Sequence, residues 1–186
     1  MLIDESGFFL NPLVRRSWAP VGQTPVLEGW GRHRDKVSAI AALSVSPRAK
    51  RLGLYFATDL ERYYDAEAVA AFLCERLRHL RGRVIVVWDN GSNHKGEPIR
   101  ALLRRFPRLS LERLPPYAPE LNPVEAVWAH LKYGRMANFV PEGIQHLDDV
   151  VIEHLIEAKL ERGKLEALWR GSELPLPTRQ SQPSDQ

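Results

Sequence analysis

The sequence has a single cysteine and no long apolar run. Cys74 has no second cysteine to pair with, so the chain forms no internal disulfide and a reducing compartment is favoured. It lies in a helical pattern and is interpreted as a small packing residue. No stretch is long enough to cross a membrane and no signal peptide precedes Asp4, which predicts a cytoplasmic protein without a membrane partner.

Acidic residues are scarce in the first three quarters of the chain. Residues 1–140 hold 21 Lys and Arg against 14 Asp and Glu, a net +7, whereas residues 141–186 hold 5 against 9, a net −4. A basic body suits a polyanionic partner, because phosphates attract Lys and Arg. A solvated charged surface explains the same imbalance equally well.

The length of 186 residues suits one domain with a real core. Periodicity predicts three strands, then helix, strand, helix, strand and two further helices, with the first two helices at 65–80 and 97–106. The strands are expected at 1–10, 37–44, 52–58, 83–88 and 109–114, and the later helices at 123–133 and 147–162. This order implies a mixed sheet with helices on its faces.

Residues 10–35 form an irregular segment rich in proline and glycine, and the Pro/Ser/Gln-rich tail 171–186 is expected to be disordered. The domain proper is therefore placed at residues 1–170. The strand 83–88 contains the run Val-Ile-Val-Val-Trp, which is typical of a strand buried on both faces.

Three carboxylates lie on elements that could bring them together: Asp4 on the first strand, Asp89 at the end of the fourth and Glu125 on a helix start. Sites collect at the carboxyl ends of central strands in such sheets. Mg²⁺ prefers oxygen ligands, and two such ions can activate a water or a 3′-hydroxyl in phosphoryl transfer. The trio therefore forms a candidate metal site.

Each carboxylate also has a simpler interpretation. Asp89-Asn90-Gly91 is a good turn sequence. Glu125 stands three residues after Asn122 and could cap the helix reciprocally with it. Asp4 could be a solvated strand end. Glu5 should point to the other face of the strand, so it is left out of the site.

Four segments together resemble the IS630 family of transposases, in the Tc1/mariner superfamily. They are DESGF at 4–8, WDNGSNHK at 88–95, PPYAPELNPVEAVW at 115–128, and RRSWAPVGQTP at 15–25. The first three resemble the family's signature blocks, and the fourth resembles its loop between the first two strands. The third block is the most specific, and the resemblance runs from about residue 2 to about residue 160.

The resemblance implies a DDE endonuclease domain of ribonuclease-H-like α/β fold. In this fold three antiparallel strands are followed by parallel strands, and helices flank the mixed sheet. It implies that Asp4, Asp89 and Glu125 are the catalytic residues and the ligands of Mg²⁺ or Mn²⁺, with two ions. The implied activity is cleavage of DNA strands at the ends of an insertion sequence and their transfer to target DNA, by a nucleoid-associated protein.

The resemblance also suggests residues that contact DNA or a second subunit of a homodimer. They are Arg15, Arg16, Trp18, Arg32, Arg34, His94 and Lys95. Core packing is an equal alternative for Trp18. For His94, a phosphate or metal-shell contact competes with a structural role that ties its loop to the next helix.

The sequence departs from the family before the first aspartate. Family members carry helix-turn-helix domains there, whereas only three residues precede Asp4, so the first strand is expected to be truncated. Two other interpretations stay open: an inactive transposase remnant that only binds DNA or dimerises, and another ribonuclease-H-like nuclease.

Overall fold

A computed structural model describes residues 1–27, 29, 35–47 and 51–177. It contains a five-stranded sheet. The strands, numbered along the chain, are β1 Leu2–Phe9, β2 Lys36–Val45, β3 Leu52–Asp59, β4 Val84–Trp88 and β5 Leu109–Arg113. Across the sheet they lie in the order β3-β2-β1-β4-β5. The strands β1, β2 and β3 pair antiparallel, and β1, β4 and β5 pair parallel. The predicted mixed sheet and its ribonuclease-H-like strand pattern are thereby confirmed.

The elements follow the predicted order, with one helix more than the sequence indicated. The helices are α1 Ala66–His79, α2 Glu97–Arg105, α3 Pro123–Ala129, α4 Ile144–Leu160 and α5 Arg162–Trp169. α3 continues into π-helical turns over His130–Arg135. α5 is the helix that periodicity missed.

The sheet separates two apolar cores, and β2 contributes to both. Its side chains alternate because successive residues of a strand point to opposite faces. Val37 and Leu43 pack with α3, α4 and α5 on one face, whereas Ile40 and Ala42 pack with α1 and α2 on the other. All four of these side chains are fully buried. The sheet is therefore held from both sides around its central strands.

α1 begins at a side-chain cap and buries one stripe. The Oδ1 atom of Asp65 accepts hydrogen bonds from the backbone amides of Glu67 (3.1 Å) and Ala68 (2.9 Å). These are two of the amides that a helix start leaves without partners. Its buried side chains, at spacings of three and four, are Val69, Phe72, Leu73 and Leu77. Cys74 packs partly buried against the same core, in the packing role inferred for it.

β4 is not buried on both faces, which corrects the expectation from its apolar run. Val86 is fully buried against α1 and α2, but the Ile85 side chain on the other face is 55% exposed. The reason is coverage: the main contacts of α3, α4 and α5 are with β1, β2 and β3, and on this face of β4 Val87 is partly buried against their core while Ile85 is not. Periodicity within one strand cannot show which part of a sheet its helices cover.

The residues that directly follow α5 pack against the rest of the domain. The indole N–H of Trp169 donates to the carbonyl of Pro175 (3.1 Å), and the amide of Glu173 donates to the carbonyl of Glu120 (2.8 Å). A disordered tail is expected at 171–186, but residues 171–177 are packed. The reason is that the apolar side chains of Leu174 and Leu176 are partly buried against the core. Residues 178–186 lie outside the described part.

The segment between β1 and β2 lacks regular structure over 11–27, apart from one bridge between Leu13 and Ala137. The amide of Asn138 donates to the carbonyl of Leu13 (3.0 Å) and holds the segment against the end of the π-helical turns. Within the described residues, the helices are too short or too polar to cross a membrane.

The α1 cap gives a test of the fold. Asp65→Ala removes the acceptor and should lower the free energy of unfolding by about 1 kcal/mol. Asp65→Asn keeps an acceptor oxygen and should stay within a few tenths of a kcal/mol of the unchanged protein. Urea denaturation followed by circular dichroism measures both. Equal losses in the two variants would contradict the capping role.

Candidate active site

Alternation along β1 sends its two neighbouring acids to opposite faces. Asp4 shares a face with Leu2 and Phe8, which pack towards α3, while Glu5 shares the other with Ile3. The indole N–H of Trp128 donates to Oδ2 of Asp4 over 2.9 Å. The Asp4 side chain is therefore fixed by a hydrogen bond, and Asp4 is not a solvated strand end.

Asn122 joins α3 to β1. Its Oδ1 atom accepts from the amide of Val124 (3.2 Å) and caps the helix, and its Nδ2 atom donates to the carbonyl of Ile3 (3.2 Å). The side chain is buried, at 5% exposure. One residue thus starts the helix that carries Glu125 and fixes it beside the residue that precedes Asp4.

Glu125 is not used as a reciprocal cap of α3. The backbone amide of Asn122 donates to the carbonyl of Pro119 over 2.9 Å, so that amide is already satisfied. The Glu125 residue is exposed and lines a cleft with Asp4 and Asp89. The capping alternative from the sequence is therefore not what the structure contains.

The cleft lies where β4 ends and α3 begins, and its volume is about 590 Å³. Its walls are the proline-rich loop 114–119, the start of α3 and the loop that follows β4. Lys95 also lines it and is its one basic side chain. In the part of the chain that the structure describes, no three His, Cys, Asp or Glu side chains approach closely enough to hold a metal ion together.

Asp4 is electrostatically strained as a carboxylate. Burial, followed by the charges of Glu125 and Glu5, raises the pKa of Asp4 from 3.8 to about 7, although the Trp128 hydrogen bond acts in the opposite direction. The folded state therefore holds a proton that the unfolded chain releases, and stability falls as pH rises from 3.8 to about 7. Full ionisation costs on the order of 4 kcal/mol of folding free energy. A bound cation would offset this cost.

Asp89 is held by its own loop. Its Oδ1 atom accepts from the amide of Gly91 (2.8 Å), which makes the turn expected from Asp89-Asn90-Gly91. The same oxygen lies 2.7 Å from Nδ1 of His94. The side chain is still 61% exposed and lines the cleft. Turn formation and a place at the cleft are thus compatible.

His94 connects Asp89 to Glu5. Its ring stacks on Trp88 with the centroids 4.5 Å apart, and its Nε2 atom lies 3.2 Å from Oε1 of Glu5. Burial favours the neutral ring, but the hydrogen bond and charge of Glu5, with the charge of Asp89, raise the pKa of His94 above its usual value. Nδ2 of Asn93 donates to Oε2 of Glu5 over 2.8 Å. His94 therefore ties the loop after β4 to β1 through Glu5, and its contact with a phosphate or around a metal stays a prediction.

The described residues among the suggested DNA contacts have different surroundings. Trp18 is fully exposed, so core packing is excluded for it, and Arg16 is exposed beside it. Arg15 instead turns back: its amide donates to Oδ1 of Asn138 (2.7 Å) and its guanidinium to the carbonyl of Tyr133 (2.8 Å). Lys95 is exposed in the cleft, and His94 is buried behind it. Arg32 and Arg34 lie outside the described residues.

Sequence reasoning missed three polar partners of the site. Trp128 stands three residues after Glu125, a spacing that places two side chains on the same side of a helix. Lys132 donates to Oγ of Ser6 over 2.7 Å, on the face of β1 that carries Asp4. Burial lowers the pKa of Lys132, while the charges of Glu125 and Asp4 act against that shift. Glu5 was set aside because of its face, yet it anchors His94.

Two substitutions should shift the pKa of Asp4 in opposite directions. Glu125→Gln removes a neighbouring negative charge and should bring the pKa of Asp4 below about 7. Trp128→Phe removes a donor to the carboxylate and should raise that pKa further. NMR pH titration of ¹³C-labelled aspartate carboxyls in metal-free protein measures both. Glu67→Gln, on the far side of the sheet, is the control and should leave Asp4 unchanged. Shifts of the same sign in the first two variants would contradict this description.

Several solved structures share the fold at low sequence identity. The Mos1 mariner paired-end complex with Mn matches with a TM-score of 0.63 and 21% identity, covering 91% of this chain and 50% of that one. The catalytic domain of Mos1 mariner transposase matches with 0.54 and 15%, covering 91% and 74%. A simian T-cell lymphotropic virus intasome, in complex with a PP2A regulatory subunit, matches with 0.52 and 12%, covering 98% and 57%. The chain thus spans about half the length of the Mos1 transposase in its DNA complexes.

No curated protein matches the sequence significantly. The family model described as DDE superfamily endonuclease matches residues 1–143, which include β1 with Asp4, the loop after β4 with Asp89, and the start of α3 with Glu125. This match covers well over half of the chain. The protein therefore belongs to the DDE superfamily of endonucleases.

Proposed function

We propose that this chain is the catalytic domain of an IS630-like transposase, which cleaves DNA strands and transfers them to target DNA. The observation that carries the proposal is the cleft shared by Asp4, Asp89 and Glu125, in which Asp4 retains a proton up to a pH of about 7. Carboxylates that line one cleft from a strand, a loop and a helix supply the oxygen ligands that hard divalent cations prefer. Mos1 mariner paired-end complexes with Mn and with Mg share this fold, which supports a divalent cation at the site.

Asp4, Asp89 and Glu125 are the proposed ligands of Mg²⁺ or Mn²⁺, and we propose two ions. When bound, such ions supply positive charge that activates a water or a 3′-hydroxyl and stabilises the leaving oxygen. The chain contributes orientation. Trp128 holds one oxygen of Asp4, and His94 with Gly91 holds one oxygen of Asp89.

Lys95 is proposed to attract the backbone phosphate of the DNA into the cleft, since a lysine ammonium binds phosphate as a point charge. No side-chain nucleophile is required, because the attacking group is a water or a DNA 3′-hydroxyl. The exposed Trp18 and Arg16 are proposed to meet DNA or a second copy outside the cleft. The Mos1 transposase paired-end complex with the left transposon end shares this fold, which supports DNA as the partner.

Replacing Asp89 tests the site directly. Asp89→Asn keeps the size of the side chain and an acceptor for Gly91 but removes the charge. Metal-dependent nicking of supercoiled DNA should fall by about a hundredfold or more, since several kcal/mol of transition-state stabilisation are lost. Asp149→Asn, an exposed change on α4, is the matched control and should leave the rate unchanged. Nicking that survives in Asp89→Asn would overturn the assignment.

Metal affinity should depend on pH through Asp4. A cation that binds the carboxylate must displace its proton, so affinity should rise with pH up to about 7 and then level off. Below that pH the increase should be as much as tenfold per unit for one displaced proton. Calorimetric titration of Mn²⁺ between pH 5.5 and 8.5 measures it. A pH-independent affinity, or none at all, would favour an inactive remnant.

A further inference from the structure

A second cleft lies at the opposite end of the sheet from the candidate active site. It is formed where β2 ends and where β3 and β4 begin, and its volume is about 540 Å³. β4 starts at Val84 in this cleft and ends just before Asp89 in the other. Five residues of extended strand separate the two by roughly 16 Å. The two clefts are therefore distinct places on the molecule.

This second cleft is basic, and none of the described residues that line it has an acidic side chain. Three exposed arginines line it: Arg51, Arg81 and Arg83. Within residues 1–27, 29, 35–47 and 51–177, none of the three guanidinium groups has a hydrogen-bond or ion-pair partner. Their guanidinium groups are thus available to an external ligand.

Several arginines elsewhere in the protein form ion pairs. Arg76 pairs with Glu75, Arg135 pairs with Glu157, and Glu97 holds both Arg100 and Arg104. Isolated exposed charges are ordinary, but three unpaired arginines around one concavity concentrate positive potential there. An acid-free concavity of this kind selects an anionic ligand.

The chemistry of the lining favours phosphate. A guanidinium presents a planar fork of donors that matches phosphate oxygens. The arginines come from two parts of the chain: Arg51 directly precedes β3, and Arg81 and Arg83 directly precede β4. A nucleic-acid backbone carries several phosphates and can offer one to each arginine, which a single small anion cannot do.

We propose that Arg51, Arg81 and Arg83 form a second DNA-binding surface, which holds the phosphate backbone of duplex DNA away from the active site. The inference rests on the proposed function in that DNA is taken to be the substrate. The surface would retain a length of duplex at one end of the sheet while the scissile strand occupies the other end. It reads no bases, because backbone contacts carry no direct sequence information.

The salt dependence of DNA binding tests the proposal. Fluorescence anisotropy of a labelled 30-base-pair duplex is measured in EDTA, which prevents cleavage, over a range of NaCl concentrations. Replacing all three arginines with glutamine should weaken binding at least about tenfold at 100 mM salt. The magnitude of the slope of log K against log salt should fall by about 2 to 3, since each phosphate contact contributes about 0.9.

The control variant loses the same charge from scattered exposed positions. It carries Arg100→Gln, Lys159→Gln and Arg170→Gln. Its slope should change by less than about 1, since net charge alone releases no counterions from a defined site. Thermal melting of both triple variants checks that these surface changes leave the fold intact. Equal slopes in the two triple variants would overturn the proposal.

A free phosphate is the other source of the same chemistry. Calorimetric titration with inorganic phosphate should show only millimolar or weaker binding to the unchanged protein. Micromolar binding that the cleft variant loses, with its DNA slope unchanged, would make this a small-anion site and overturn the proposal.

Nicking assays distinguish a failure of this proposal from a failure of the proposed function. Metal-dependent nicking together with equal DNA slopes in the two triple variants refutes only the second DNA-binding surface. Absent nicking together with a reduced slope in the cleft variant refutes only the proposed enzyme activity.

Discussion

The two hydrogen bonds of the Asn122 side chain are the constraint on which the site depends. One caps α3 and the other reaches the carbonyl of Ile3 in the central strand. A cap alone would leave the helix free to tilt, and a strand contact alone would leave its start undefined. Because one buried amide does both, Glu125 at the helix start has a defined position relative to Asp4. The rigid proline loop before Asn122 limits how the chain can arrive there.

The electrostatics of the site follow from this placement. Bringing Asp4 into a mostly buried position beside Glu125 and Glu5 raises its pKa to about 7, a cost that a purely structural carboxylate would not carry. The opposite arrangement holds on α4, where Arg135, Lys164 and His154 bring the pKa of Glu157 down to about 2. Stabilising ion pairs thus form in this protein, whereas no Lys, Arg or His side chain of the described residues forms an ion pair with Asp4. A strained carboxylate in a cleft is typical of functional sites.

The face of the sheet opposite Asp4 supports the site from behind. Glu5 and Asn93 hold His94, His94 stacks on Trp88, and its other nitrogen meets Asp89. The strand thus carries a candidate ligand on one face and an anchor for a second candidate ligand on the other. This arrangement explains why adjacent acids at positions 4 and 5 have different roles in the fold. It also explains why Glu5 does not line the cleft.

Sequence patterns alone determined most of the architecture, because local periodicity and caps decide where strands and helices form. The strands, α1 to α4, the cap at Asn122 and the placement of Glu5 on the opposite face from Asp4 all follow from short-range physics. α5 was missed because its pattern is short, and the exposure of Ile85 could not be foreseen because helix coverage is a property of the whole sheet. Only the tertiary structure brought Trp128 to Asp4, His94 between Glu5 and Asp89, and three arginines around one cleft. Those contacts join residues distant along the chain, and no local pattern encodes such a distance.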